Sequence, residues 1–259
     1  VGLISGLLCG VISYGQFADC STGLLQAPTA EMQPDGTFMI TNNWLNQNAL
    51  PSSGWSYSTF QYGINITFWE RIEIGYVCTI FNDYWVYSST PDRGFYIVNQ
   101  DRHFTGRLCL LRENEFGIKW MPALVIGVSD PTTGSGDFEY TSFDDLTGTG
   151  NGYFNRYYAV LTKHFSSPWG NIGAHLGYQY NQRIDYHLNG PCAGINWSPI
   201  WLQQKGLLDY LNVIVEYDSR TVNFGFIASL WHNRFEAMFD MQNFRWICFG
   251  LRYKLRLKV

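Results

Sequence analysis

The chain has 259 residues and a formal net charge of −4, a length that allows one or two domains and a charge balance that argues against a nucleic-acid partner. Hydrophobic residues make up 46% and aromatics 17%, yet the mean hydropathy is only −0.13. No internal run reaches the roughly 20 apolar residues that a membrane-spanning helix needs.

In chain order, residues 1–14 form the one continuous apolar run, matching a signal-peptide core better than a span. Small residues at Ser13 and Gly15 suit cleavage before Gln16. The expected organisation is a signal peptide over residues 1–15, a periplasmic lead-in segment over 16–37 and a single β-barrel over 38–259. In the lead-in, Pro28-Thr29-Ala30 and Pro34-Asp35-Gly36-Thr37 read as turns, because proline fixes φ while Asp and Gly take the corner. Such a segment either folds into the periplasmic mouth or serves as a plain lead-in turn.

About twelve strands follow, at residues 38–46, 57–68, 71–81, 103–112, 117–128, 156–165, 171–181, 191–199, 211–217, 222–230, 234–240 and 245–258. Their connections alternate long and short through the first seven strands, as in barrels with long outer loops and short periplasmic turns. The rule frays at residues 200–210, which are long where a short turn is expected, and at 218–221, which are short where a long loop is expected. The last strand carries the clearest signal. Ile247, Phe249, Leu251, Tyr253, Leu255, Leu257 and Val259 alternate with Trp246, Cys248, Gly250, Arg252, Lys254, Arg256 and Lys258. Period-two alternation gives one apolar and one basic face, at a length that suits a tilted transmembrane strand. The predicted fold is an all-β, antiparallel, outer-membrane β-barrel facing lipid.

The same alternation turns charge inward. Glu216 and Asp218, then Arg234, Glu236 and Asp240, then Arg252, Lys254 and Arg256 all fall on the predicted lumen face, where carboxylates and bases of neighbouring strands form a ladder of opposite charges. The ladder reads either as ion pairs filling a narrow barrel or as a polar conduit for a charged or sugar-like ligand. Six cysteines include Cys9 in the signal region, leaving five to act as small hydrophobes, with Cys78 toward lipid and Cys248 toward the lumen.

Residues 23–38, centred on Pro28-Thr29-Ala30 and Pro34-Asp35-Gly36, resemble the opening signature of the YjbH-like family of outer-membrane proteins associated with exopolysaccharide production. Further similarity lies in Asp101-Arg102-His103-Phe104, in residues 121–130 and 157–165, in Gly190-Pro191 and in Val215-Glu216-Tyr217-Asp218-Ser219. Residues 131–154 look like an insertion in a family loop. The resemblance implies an outer-membrane location in a Gram-negative bacterium and a part in polysaccharide production or export, with polysaccharide and periplasmic export proteins as partners. It supplies no catalytic residues.

Other motifs carry no chemistry. Gly148-x-Gly150-x-Gly152 leads into a strand rather than a helix N-terminus, so it lacks the phosphate-cradling context. Asp137, Glu139, Asp144 and Asp145 lack EF-hand spacing. The acceptor spellings at Asn65 and Asn196 fall inside predicted strands. No pair of cysteines has metal-ligand spacing, the five histidines are scattered, and no Gly-x-Ser-x-Gly elbow occurs. The expectation is a non-enzymatic barrel without cofactor or metal that assists production or export of an extracellular polysaccharide. The alternative is a structural or adhesive barrel whose aromatic outer loops, such as Tyr84-Trp85-Val86-Tyr87, bind a surface ligand.

Overall fold

The computed structural model describes residues 19–51, 55, 57–81, 99–131, 153–181, 188–203 and 206–257. The signal region, the 84–87 loop, the 148–152 glycines and the 137–145 acidic stretch lie outside the described residues.

Period-two alternation becomes twelve strands: β1 (Thr37–Leu45), β2 (Thr59–Phe68), β3 (Ile72–Phe81), β4 (Asn99–Leu111), β5 (Ala123–Ser129), β6 (Arg156–Ser167), β7 (Gly170–Tyr180), β8 (Gly190–Pro199), β9 (Leu208–Tyr217), β10 (Val222–Leu230), β11 (Phe235–Gln242) and β12 (Trp246–Arg256). Each strand pairs antiparallel with its sequence neighbours. β1 closes the ring on β12 in a register running from Thr37↔Arg256 to Trp44↔Phe249. Closure leaves no strand edge unpaired, which is the condition for β-structure to sit in hydrocarbon.

The outer face carries large apolar side chains open to the surroundings, among them Ile64, Phe104, Leu176, Ile195, Phe249 and Leu251. Water would penalise such a belt, whereas lipid tails accept it. Trp69, Trp120, Trp169, Trp201 and Trp231 are exposed beside the short turns, and form an interfacial aromatic girdle at that end. The chain is an antiparallel transmembrane β-barrel.

Two connections differ from expectation. Residues 117–122 are a turn rather than strand: Phe116 and Gly117 take positive φ (58° and 75°), and Asn114 N–H donates to Met121 O at 3.1 Å. The long connection at 200–210 shrinks, because a 3-10 turn fills Ile200–Leu202 and β9 already begins at Leu208. The cysteines Cys20, Cys78, Cys109, Cys192 and Cys248 are all free and buried. Cys78 holds the outward register opposite Tyr62, while Cys248 points into the lumen beside Gln242. Asn65 and Asn196 are buried inside the barrel, where Asn65 donates to Glu73 at 2.9 Å, so neither presents a surface for glycosylation.

Candidate functional site

The lumen is filled by the chain's own N-terminal segment. Residues 19–33, expected at the mouth or as a simple turn, are buried throughout, with Thr22, Leu24, Leu25 and Thr29 all 0% exposed. The segment has almost no secondary structure of its own. A tight reversal joins Gly23 to Pro28, with Leu24 N–H donating to Ala27 O at 2.9 Å. Its other backbone groups therefore need partners on the barrel wall, since buried amides left unpaired are costly.

One wall, β9 to β11, supplies acceptors. The Glu216 carboxylate takes three consecutive backbone N–H groups: Leu25 at 2.9 Å, Gln26 at 2.7 Å and Ala27 at 3.2 Å. Asn223 donates a further bond at 3.1 Å. Asp240 accepts from the Gln26 side chain at 2.9 Å. The adjoining strand β8 is recessed to admit the segment. A Cβ placed on Gly194 would lie 2.2 Å from Leu24 Cδ1, so glycine there creates the space that leucine fills.

The facing wall, β4 to β6, supplies donors. Arg107 donates to Thr29 O at 2.5 Å and to Glu31 O at 2.9 Å while pairing with Glu73 of β3 at 3.1 Å. Arg156 donates to Gln26 O at 3.1 Å and pairs with Asp19. Thr162 Oγ1 accepts Ala30 N–H at 2.8 Å. Glu73 in turn accepts both the backbone N–H and the hydroxyl of Thr22, at 2.9 and 2.6 Å. Both ions of the Arg107–Glu73 pair are at most 1% exposed, a burial that needs this density of hydrogen bonds to be tolerated.

The charged ladder read from sequence divides four ways. Glu236 meets both Arg252, at 3.5 Å, and Lys254, and accepts from Tyr210 Oη at 2.9 Å. Arg252 also donates to Ser21 O at 3.1 Å. Glu216 and Asp240 face the inner segment instead of the bases. Asp218 caps the β9–β10 turn, accepting from the backbone N–H of Arg220 at 3.0 Å and Thr221 at 2.8 Å. Arg234 and Arg256 are exposed and are not lumen groups. Arg234 lies in the β10–β11 turn and Arg256 ends β12, so the strand pattern carries past the barrel wall at both.

The family-signature residues serve two purposes. Pro28, Thr29 and Ala30 lie in the buried segment. Pro34, Asp35 and Gly36 turn the chain into β1: Thr37 N–H donates to Pro34 O at 3.1 Å, Gly36 N–H to Thr67 O at 3.0 Å, and Asp35 accepts Trp69 N–H. At this end Glu31 meets His164 Nε2 at 2.8 Å, and His164 Nδ1 meets Glu113 at 2.6 Å. Burial alone would raise the Glu113 pKa, but hydrogen bonds from His164 and Lys163 outweigh it and hold that carboxyl down at about 2. At the opposite end, Leu45, Leu50, Trp55 and Phe154 cover Leu24 and Leu25 in one apolar cluster.

Sequence reasoning missed Glu73, Arg107, Arg156 and Thr162. All sit on the inward period of their strands, and that periodicity is the signal that would have found them.

A family model described as "Exopolysaccharide biosynthesis protein YbjH" matches residues 14–255. The chain belongs to that family. Among solved structures, the crystal structure of an outer membrane channel from Pseudomonas putida F1 is similar at 12% identity and a TM-score of 0.42, over 89% of this chain and 98% of that one. No curated protein matches the chain.

Proposed function

We propose that this barrel resides in the outer membrane of a Gram-negative bacterium and assists, without catalysis of its own, the production or export of an extracellular polysaccharide. Membership of the exopolysaccharide family supports the process. The observation that carries the mode of action is the filled lumen: residues 19–33 are buried and tied to β3, β4, β6 and β9 by the bonds above. A barrel in this state does not leak solutes, so transport through it requires the inner segment to be displaced, and a periplasmic export partner is the natural agent at the mouth where Pro34, Asp35 and Gly36 stand.

Deleting the gene is expected to change the amount or composition of surface polysaccharide while leaving general nutrient uptake intact. Unchanged polysaccharide together with lost adhesion to a host or cell surface would replace this reading with the adhesive one. In planar bilayers the intact protein is expected to stay silent and a variant lacking residues 19–33 to conduct. Equal conductance from both would show that the segment does not close the barrel.

A further inference from the structure

On the outer wall, strand register lines up a cross-strand row that the filled lumen does not use. Ile74, Gly106, Val128, Tyr157 and Tyr180 are successive partners from β3 to β7. All five keep the outward period of their strands, and Ile126, Ala159 and Tyr178 form a second row beside them. Ile74 stands near the short-turn end of β3, whereas Tyr180 ends β7 at the long-loop end, so the rows climb the barrel obliquely. Gly106 and Ala159 leave them low in the middle. A recess of about 630 Å3 results, lined by these side chains.

Packing does not require the glycine. A Cβ at Gly106 would meet only Val128 Cγ1, at 3.6 Å, an ordinary contact, whereas at Gly75 or Gly127 it would strike a neighbour at 2.4 or 2.1 Å. Glycine weakens a strand interior, and where the fold does not need it, it marks a place that something else approaches closely. The recess lies among the exposed Phe104, Leu108, Leu161 and Leu176 of the lipid-facing belt, so hydrocarbon is what covers it. With neighbouring strands about 4.8 Å apart, the first row is roughly 19 Å long, which suits an acyl chain slanting through one leaflet of about 15 Å of hydrocarbon.

Polar groups stand at the outer level, where such a chain joins its headgroup. Above Gly106 on the same outward period of β4, Arg102 is exposed and Gln100 accepts from Tyr62 Oη at 2.7 Å. At the upper end of the recess, Tyr178 and Tyr180 are 58% and 50% exposed. A guanidinium suits phosphate, and phenol hydroxyls donate to sugar or phosphate oxygens. Arg102 and Tyr180 are three strands apart around the wall, a span that a phosphorylated disaccharide bridges and a compact one-phosphate headgroup does not.

We propose that this recess binds one outer-leaflet glycolipid of the phosphorylated, multiply acylated lipid A class. One acyl chain lies in the trough at Gly106 and Ala159, a phosphate meets Arg102, and the sugar meets Tyr178 and Tyr180. The bound lipid braces the wall around β5, at seven residues the shortest of the twelve strands. The site rests on the outer-membrane placement proposed above and not on the polysaccharide role.

The test is native mass spectrometry of the barrel extracted from outer membranes in mild detergent, then titration of the delipidated protein with lipid A, dephosphorylated lipid A and phosphatidylglycerol. One lipid A per chain is expected. Ala159→Phe and Gly106→Leu, which fill the trough, should each lower its affinity at least tenfold, and Arg102→Gln should erase the preference for the phosphorylated form. Ala228→Phe, outward on β10, should change nothing. Heat-modifiable gel migration confirms that each variant is folded; if Ala159→Phe fails to fold, Gly106→Leu decides alone. Parent-like affinity in a folded, trough-filled variant, an Arg102→Gln variant that keeps the preference, equal binding of phosphatidylglycerol, or no lipid A bound by the parent would each overturn the proposal. Membrane fractionation separates this outcome from the reading above, since a barrel recovered in the outer membrane without the glycolipid overturns the lipid site alone.

Discussion

The two walls of the lumen meet the same segment with opposite chemistry. On β9 and β11, Glu216 and Asp240 take donors from residues 25–27. On β4 and β6, Arg107 and Arg156 give donors to the carbonyls of Gln26, Thr29 and Glu31. An irregular segment exposes both kinds of backbone group at every residue, so a wall of one sign would satisfy only half of them. The two walls are complementary to a chain, and not simply to each other. The division is not complete: on the basic side Glu73 accepts from Thr22 and Thr162 from Ala30 N–H, and Arg252, beside the acidic wall, donates to Ser21 O.

This division explains what could be read from sequence. Strand positions and facing follow from period two. Val222, Phe224 and Phe226 are outward and Asn223 and Ser229 buried, because alternation is a local property of each strand. The path of residues 19–33 is not local. Gly23-Leu24-Leu25-Gln26 has no period, and its partners lie up to 231 residues away, as for Arg252 and Ser21. The same limit affected the ladder. Facing placed Glu216 and Asp240 inward, yet nothing in one strand tells whether an inward carboxylate meets a base across the lumen or a backbone amide passing through it.

The most severe way to break the comparison is to strip the basic wall. Arg107→Ala leaves Glu73 buried without its cation and strands the carbonyls of Thr29 and Glu31. Removing one partner of such a buried pair costs about 3–5 kcal/mol. Thermal unfolding followed by gel mobility is expected to show this loss, and Arg107→Ala with Glu73→Gln should recover part of it. Strict additivity of the two changes would mean that water already screens the pair.

The acidic wall is expected to fail more gently. Glu216→Leu strands the amides of Leu25, Gln26 and Ala27, each costing about 1–3 kcal/mol if it stays dry. Water admitted by the displaced segment repays most of this, so the net loss should fall near the lower figure. The readout that separates the walls is accessibility. A thiol reagent should label Cys20 faster in the Glu216→Leu variant than in the parent barrel, since freeing residues 25–27 loosens the chain around it. Unchanged labelling would show that the segment is held without help from Glu216.

The smallest effect belongs to the mouth, where the basic wall reaches past the membrane. His164 sits between Glu31 of the inner segment and Glu113 of the β4–β5 turn, with a carboxylate at each ring nitrogen. Bonding to both uses two N–H donors, which only the imidazolium provides. Lys163 adds a contact to Glu113 at 2.9 Å. Because the Glu113 carboxyl is held down at about 2 in the folded barrel, against an ordinary 4.5, the folded state binds its proton less readily than the unfolded chain. Its stabilisation is therefore fully present above pH 4.5 and lost as the pH falls toward 2. The group is partly solvated, so this contribution is under about 1 kcal/mol. Glu113→Gln should lower stability slightly at pH 7 and flatten its fall between pH 5 and 2, with the two proteins converging at the acid end. Parallel acid curves for parent and variant would show that Glu113 carries none of the pH dependence.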